Sequence, residues 1–157
     1  MSPVDLVEIL PIIEEAFNMG KTVKLKASGN SMMPLLKSGR DGIILAKCEN
    51  PQNLKKYDIP LYFRDERTLI LHRIVKVKED CFDMCGDDEI KIEEDVKKEN
   101  VVAIAIGFIR KGKTFYVNNL FYRIYSVLWC SILPWRKRVL AFGRKLVRIG
   151  KWKILKL

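Results

Sequence analysis

The chain has 157 residues, of which 48% are hydrophobic and 31% are charged. This composition is sufficient to bury a core, and the length is that of one domain. Together these values exclude a disulfide-stabilised miniprotein, a collagen-like chain and a large multidomain enzyme.

The net charge of +10 is concentrated at one end of the chain. Residues 110–157 contain 13 Lys or Arg and no Asp or Glu, whereas residues 1–109 contain 16 basic and 19 acidic side chains, a net charge of −3. This asymmetry indicates an anionic partner for the C-terminal end, either a membrane surface or a nucleic acid.

The four cysteines do not form a metal-binding pattern. Cys48, Cys81, Cys85 and Cys130 include no C-x-x-C pair, and His72 is the single histidine. A zinc site would need a different ligand spacing, so we expect no metal and no cofactor. Unpaired thiols are typical of a reducing compartment.

The N-terminal part predicts one helix followed by one strand. Residues 3–19 have a helical pattern that Ser2 can cap and Gly20 can end, and Pro11 must kink or restart the helix. Residues 22–27 then alternate between apolar and lysine side chains, which predicts a half-buried strand. The first residues lack the basic and apolar regions of a secretory signal.

The middle of the chain is a series of short apolar runs separated by charged or glycine-containing turns. These runs predict strands at 42–47, 59–63, 68–77, 101–109 and 114–117, with hairpins joining 59–63 to 68–77 and 101–109 to 114–117. A further turn is expected at 86–88. The predicted fold class is therefore mainly β.

The C-terminal tail has a different character. From Val139 onward, most apolar side chains fall on one half of a helical projection and most basic ones on the other. With Trp135 and Trp152 this pattern predicts a basic amphipathic helix in a membrane interface. The alternatives are a helix packed on the domain and a nucleic-acid-binding helix, although no RNA-binding motif accompanies it. The apolar run 120–135 is too short to span a bilayer.

Several motifs occur in a set order along the chain. They are Gly29-Asn30-Ser31-Met32-Met33-Pro34, Gly39-Arg40-Asp41, Tyr57-Asp58-Ile59-Pro60-Leu61, Leu71-His72-Arg73-Ile74-Val75 and Cys85-Gly86-Asp87. In this order they resemble the signal peptidase I family and its wider superfamily of serine peptidases. The resemblance covers residues 23–110, and it depends on the order of the pieces because each piece alone is weak.

The residue before Arg73 identifies the branch that the chain resembles. Bacterial signal peptidases and LexA-like repressors pair the serine with a lysine, whereas here the position holds His72. This looks like the archaeal and endoplasmic-reticulum type, and like a soluble-looking bacterial group with a similar basic tail. The resemblance implies that Ser31 is the nucleophile, His72 the general base and Asp87 the acid that orients it. Asp88 is the next candidate for the acid, followed by later acids such as Glu93 or Asp95.

The chemistry of these residue types agrees with the resemblance. A serine hydroxyl needs an adjacent base, an imidazole titrates near neutral pH, and a carboxylate can stabilise the imidazolium. The family also implies that Met32 and Asn30 belong to the oxyanion and substrate region. Gly29 departs from the serine that bacterial members often have there.

Each of these residues also has a structural interpretation. Ser31 could cap a turn, His72 could be a structural strand residue, Asp87 could be a turn aspartate and Met32 could be a core side chain. A lysine base would have to come from Lys47, Lys76 or Lys78, none of which matches the family position.

We therefore expect an N-terminal helix (1–20), a β-rich peptidase domain (21–117) and a basic aromatic tail (118–157). The expected function is a serine endopeptidase that cleaves a peptide or preprotein near a membrane. Residues 120–157 would contact an anionic membrane surface, with the domain on the cytoplasmic side because no anchor precedes it. One alternative is an inactive peptidase-like binding module. The other is a LexA-like self-cleaving regulator, which is less well supported because the sequence shows neither an evident cleavage loop nor a helix-turn-helix.

Overall fold

The computed structural model describes residues 8–66, 68–136 and 138–139. Within them, two helices flank nine strands: α1 (Leu10–Asn18), β1 (Val23–Lys26), β2 (Gly42–Lys47), β3 (Pro60–Asp65), β4 (Thr68–Leu71), β5 (Arg73–Val77), β6 (Cys81–Cys85), β7 (Glu93–Lys97), β8 (Val101–Arg110), β9 (Lys113–Tyr116) and α2 (Leu120–Ser131). Short 3₁₀ turns occur at Pro51–Asn53, Lys98–Asn100 and Leu133–Trp135. The mainly β fold with a helix on either side is confirmed.

Helix α1 is shorter than the helix predicted over 3–19. It begins at Leu10 with Pro11 in its first turn, because a proline lacks the N–H that an interior position would need. Ile13 and Phe17 are buried. Gly20, with φ of +69°, ends the helix as the sequence predicts. The predicted segment 3–7 and its cap at Ser2 lie outside the described residues.

The larger sheet contains six antiparallel strands in the order β1-β2-β8-β3-β4, with β9 also paired to β8. β8 is its longest strand: β2 runs along one edge, while β3 and β9 pair with its two ends on the other. Burial alternates along most of β8, as a sheet with one covered face requires. Both predicted hairpins, β3–β4 and β8–β9, are confirmed.

The second sheet has the order β5-β6-β7. The single strand predicted over 68–77 is wrong, because the chain pairs with the first sheet up to Leu71 and with the second from Arg73 onward. Apolar residues lie on both sides of this break, at 69–71 and 74–75, so the sequence there resembles one continuous strand. His72 is the one residue between the two strands, and its side chain is 2% exposed.

Two apolar cores fill the fold. The first joins α1 and the turn after Ser31 to the first sheet through Ile13, Phe17, Met32, Leu35, Leu36, Ile43, Leu45, Ile59, Leu61, Ala103, Ala105 and Phe108. The second lies against the smaller sheet and contains Leu54, Tyr62, Ile74, Phe82, Met84, Val96 and Val101. Tyr62 and Leu61 are adjacent on β3 and point into different cores, which places β3 between the two.

Helix α2 packs on the domain through one face. Tyr122 and Tyr125 contact the first core, and Ser126 is buried. This stretch of the tail therefore packs on the domain. The basic amphipathic helix predicted from Val139 onward lies outside the described residues except for Val139 itself. No helix in the described part of the chain is both long and apolar enough to cross a membrane.

Candidate active site

His72 lies at the break between the two sheets, surrounded by oxygen atoms. Its Nδ1 is 3.4 Å from the Tyr62 hydroxyl and 4.0 Å from a carboxylate oxygen of Glu93. Its Nε2 is 3.6 Å from a carboxylate oxygen of Glu89. We call His72, Tyr62, Glu89 and Glu93 the histidine cluster. A carboxylate on each side of the ring favours an imidazolium if the ring accepts a proton.

The Tyr62 hydroxyl determines which ring nitrogen carries the proton. It donates to Glu93 at 2.8 Å, so its oxygen can only accept from His72. The neutral tautomer that fits this contact carries its proton on Nδ1, and its Nε2 lone pair then faces the Glu89 carboxylate. Arg64 also donates to Glu93 at 3.0 Å, which fixes the carboxylate from the opposite side.

The surroundings shift the pKa values of this cluster. Burial lowers the pKa of His72, and the nearby carboxylate of Glu89 opposes that effect without reversing it. Burial raises the pKa of Glu93, but hydrogen bonds from Arg64 and Tyr62 outweigh it and lower this pKa on balance. A neutral imidazole beside an ionised carboxylate is the protonation state that a general base needs at neutral pH.

Ser31 lies in a turn after β1 and contacts the segment after β6. Its carbonyl oxygen accepts a hydrogen bond of 2.7 Å from the backbone N–H of Asp88. A Cβ on Gly86 would lie 2.7 Å from that same oxygen and 3.1 Å from Cγ and Cδ of Glu89. Only a glycine permits so close an approach. Ser31 and His72 are thus both held against the 86–89 segment, Ser31 through Asp88 and His72 through Glu89.

The structure gives Asp87 a different partner from the one expected. Its two carboxylate oxygens accept hydrogen bonds of 2.8 and 2.7 Å from Arg73, and Tyr125 donates to it at 3.2 Å. The side chains of Arg73 and Asp87 are 1% and 0% exposed. A carboxylate compensates the charge of a buried guanidinium, and Asp87 does this for Arg73 rather than binding the ring of His72. Asp87 acts on His72 only through its charge, which is the smallest of the influences that raise the pKa of the ring.

Helix α2 completes this second group of residues. The Arg73 guanidinium also donates to the hydroxyls of Tyr122 and Ser126, at 3.0 and 2.9 Å. We call Arg73, Asp87, Tyr122, Tyr125 and Ser126 the arginine cluster. Burial lowers the pKa of Arg73, but the hydrogen bonds to Asp87 raise it above its ordinary value, so the charge is retained.

Two further side chains from the tail hold the backbone of the 86–89 segment. The Trp129 indole donates to the carbonyl of Asp87 at 3.0 Å. Arg136, which is 1% exposed, donates to the carbonyls of Gly86 and Glu89 at 2.9 and 3.1 Å. Arg136 is therefore a domain contact, although the sequence counts it among the basic residues of the tail.

The other predicted site residues occupy varied positions. Asn30 is exposed beside Ser31, and the Met32 side chain is in the first core, which leaves its backbone for any contact with a substrate. Asp88 touches Ser31 through its N–H. Asp95 is exposed and pairs with Lys78 at 2.7 Å.

Glu89 and Tyr62 are site residues that the sequence does not predict. Glu89 follows the expected turn at 86–88, so the turn itself is the signal that could have identified it. Tyr62 lies in a predicted strand where an aromatic residue is typical of the core. Only the pairing of β3 with β4 brings the Tyr62 hydroxyl to His72, which lies ten residues further along the chain.

No protein-family model matches this chain, and no curated protein or solved structure matches it. The class that the fold defines is a mainly β domain of two antiparallel sheets with a helix at each end.

Proposed function

We propose that this protein is a serine endopeptidase in which Ser31 is the nucleophile and His72 the general base. The observation that carries the proposal is the histidine cluster. The chain's single histidine is neutral by burial, has its tautomer fixed by Tyr62 and Glu93, and directs Nε2 toward the segment that binds the Ser31 turn. A neutral imidazole of this kind is the base that activates a hydroxyl held within hydrogen-bond reach of it.

The proposed steps are those of a serine paired with a histidine base. The Ser31 oxygen attacks the scissile carbonyl carbon while its proton passes to Nε2 of His72, giving a tetrahedral oxyanion and an imidazolium. The imidazolium then gives its proton to the leaving amine as the C–N bond breaks, which leaves an acyl-serine. A water molecule that loses its proton to Nε2 hydrolyses the ester and restores Ser31. The backbone N–H of Met32 is the proposed oxyanion donor.

In this mechanism Glu93 takes the orienting role that the resemblance gives to Asp87. Glu93 acts on Nδ1 through the Tyr62 hydroxyl, which keeps the proton on Nδ1 and Nε2 basic. Glu89 lies beside Nε2 and stabilises the imidazolium by its charge. Asp87 is removed from the chemistry because Arg73 occupies both its oxygens.

The test is covalent labelling of the full chain with a serine-reactive fluorophosphonate probe, followed by peptide mapping. We expect the label on Ser31, and we expect none in Ser31→Ala or His72→Ala at unchanged thermal stability. Labelling elsewhere, or none in folded protein with lipid vesicles present, would reject the peptidase and leave the inactive binding module. Intact mass after incubation separates a third outcome, self-cleavage, because the chain would then appear as two fragments.

A further inference from the structure

Helix α2 presents one face to the domain and the opposite face to solvent. Tyr122, Tyr125, Ser126 and Trp129 face the domain, as described above. The opposite face is formed by residues with large exposed fractions: Leu120 (67%), Phe121 (82%), Ile124 (48%), Val127 (43%) and Leu128 (62%). At about 100° per residue these five side chains span about a third of the helix circumference. We call them the outer face of α2.

The outer face is unusual for a domain surface. Its helix contains one charged residue, Arg123, and five large apolar side chains lie side by side in solvent. A contiguous exposed apolar patch that is flanked by charge marks an interaction site. Trp135 continues the exposed apolar surface beyond the helix at 59% exposure, with the Arg138 guanidinium 5.0 Å from its ring.

The charge of this part of the chain identifies the partner. Residues 110–157 carry 13 basic and no acidic side chains. A surface that accepts apolar side chains and also attracts cations is a bilayer rich in anionic lipids. At about 1.5 Å per residue, 12 residues give about 18 Å, well short of the roughly 30 Å of a bilayer core, so α2 would lie along the surface.

The other occupants fit the same surface less well. A second copy of the chain would bring two basic tails together, with no acidic residue among the 48 of either tail to offset them. A nucleic acid would match the charge but not the apolar side chains, because its outer surface is phosphate.

We propose that the outer face of α2 docks on anionic lipid bilayers and that this docking holds the 86–89 segment at the membrane surface. The inner face of the same helix binds Asp87 through Tyr125 and Trp129, so only the diameter of one helix, about 10 Å, separates the segment from the lipid. With the proposed peptidase function, this docking makes a membrane-proximal peptide segment the substrate. The docking itself does not rest on that function.

The experiment is sedimentation of the full chain with vesicles of phosphatidylcholine alone or mixed with phosphatidylglycerol. The test variant is Phe121→Ser/Leu128→Ser, which changes two exposed outer-face residues and leaves the inner face intact. The control variant is Ile12→Ser/Met19→Ser, since these α1 residues are also exposed, at 68% and 57%. We expect binding to the mixed vesicles only, weakened at least about tenfold in the test variant and unchanged in the control.

Three results would overturn the proposal. One is no binding of the wild-type chain to mixed vesicles. Another is equal binding of the test variant and the wild type, which would place all the affinity in the basic tail. The third is a concentration-dependent dimer that the test variant abolishes without any vesicle binding. Probe labelling of Ser31 without vesicles is measured on the same variants, so that loss of docking and lack of peptidase activity are told apart.

Discussion

His72 and Arg73 follow one another in the chain, yet their side chains belong to regions with different properties. In the histidine cluster the two carboxylates keep contact with solvent, with Glu89 40% and Glu93 25% exposed. In the arginine cluster the ion pair is closed, at 1% and 0% exposure. The change of sheet at His72 turns the two side chains toward these different surroundings.

The difference separates two tasks within one motif. A general base needs a free lone pair and access to a substrate, and the histidine cluster provides a neutral ring beside a half-buried serine turn. A structural ion pair needs good geometry and no water, and the Arg73 guanidinium donates four hydrogen bonds within the arginine cluster and a fifth to the carbonyl of Tyr57. The order of the motifs along the sequence does not tell these two kinds of cluster apart.

The largest expected effect on stability comes from the arginine cluster. Asp87→Asn leaves the buried Arg73 guanidinium without its carboxylate, so we expect the free energy of unfolding to fall by about 3–5 kcal/mol in urea denaturation. The control is Lys97→Met, which removes a surface pair 3.4 Å long and should change little. Equal, small losses in both would mean that the closed pair does not hold the domain together.

A smaller loss is expected where the two clusters meet. Gly86→Ala places a methyl group 2.7 Å from the Ser31 carbonyl, so the serine turn must shift. We expect a loss of about 1–3 kcal/mol in thermal denaturation, together with slower probe labelling of Ser31. Gly112→Ala costs about 1–2 kcal/mol at a positive φ in a distant turn and should leave labelling unchanged. If both variants slow labelling alike, the effect is general instability rather than a displaced turn.

The histidine cluster should respond in rate rather than in stability. Tyr62→Phe removes the hydroxyl that fixes the proton on Nδ1, so we expect the labelling rate at Ser31 to fall by about tenfold or more. Tyr116→Phe serves as the comparison, because Tyr116 is 53% exposed on β9. An unchanged rate in Tyr62→Phe would remove Tyr62 and Glu93 from the mechanism.

The smallest effect concerns the pKa of His72, and a single histidine makes it directly measurable by proton NMR titration. The folded-state pKa is lowered by burial, so the value should lie below the ordinary one of about 6.5, and Glu89→Gln should lower it further. Because the unfolded chain then binds the proton more readily, the stability contributed by the neutral ring is full above about pH 6.5 and falls as the pH drops. A titration above 6.5 would contradict the buried, neutral ring.

Much of the fold could be predicted because its strands follow simple alternation. β2 matches its predicted bounds, and β1, β3, β8 and β9 match theirs closely. Neither β6 nor β7 is among the predicted strands, and β7 reads Glu-Glu-Asp-Val-Lys, in which only Val96 is buried. The strand conformation of β7 comes from its pairing with β6, and the local sequence of β7 does not predict that pairing.

The site was predicted less completely than the fold. The motif singles out Ser31 and His72, and the structure places both against the 86–89 segment; their catalytic roles stay predictions. It also singles out Asp87, but spacing along a chain cannot decide which of two neighbouring side chains, His72 or Arg73, a carboxylate will face. Glu93, named only as a later alternative, reaches His72 because the second sheet folds back beside β3.

The contacts of α2 with Arg73 and Asp87 determine when the domain can be completed during synthesis. Arg73 and Asp87 are enclosed by Tyr122, Tyr125 and Trp129, about 50 residues further along the chain from Arg73. A ribosome therefore releases both sheets before the residues that shield their charged centre emerge. The domain becomes complete only as α2 emerges, and this is the same helix whose outer face is left uncovered.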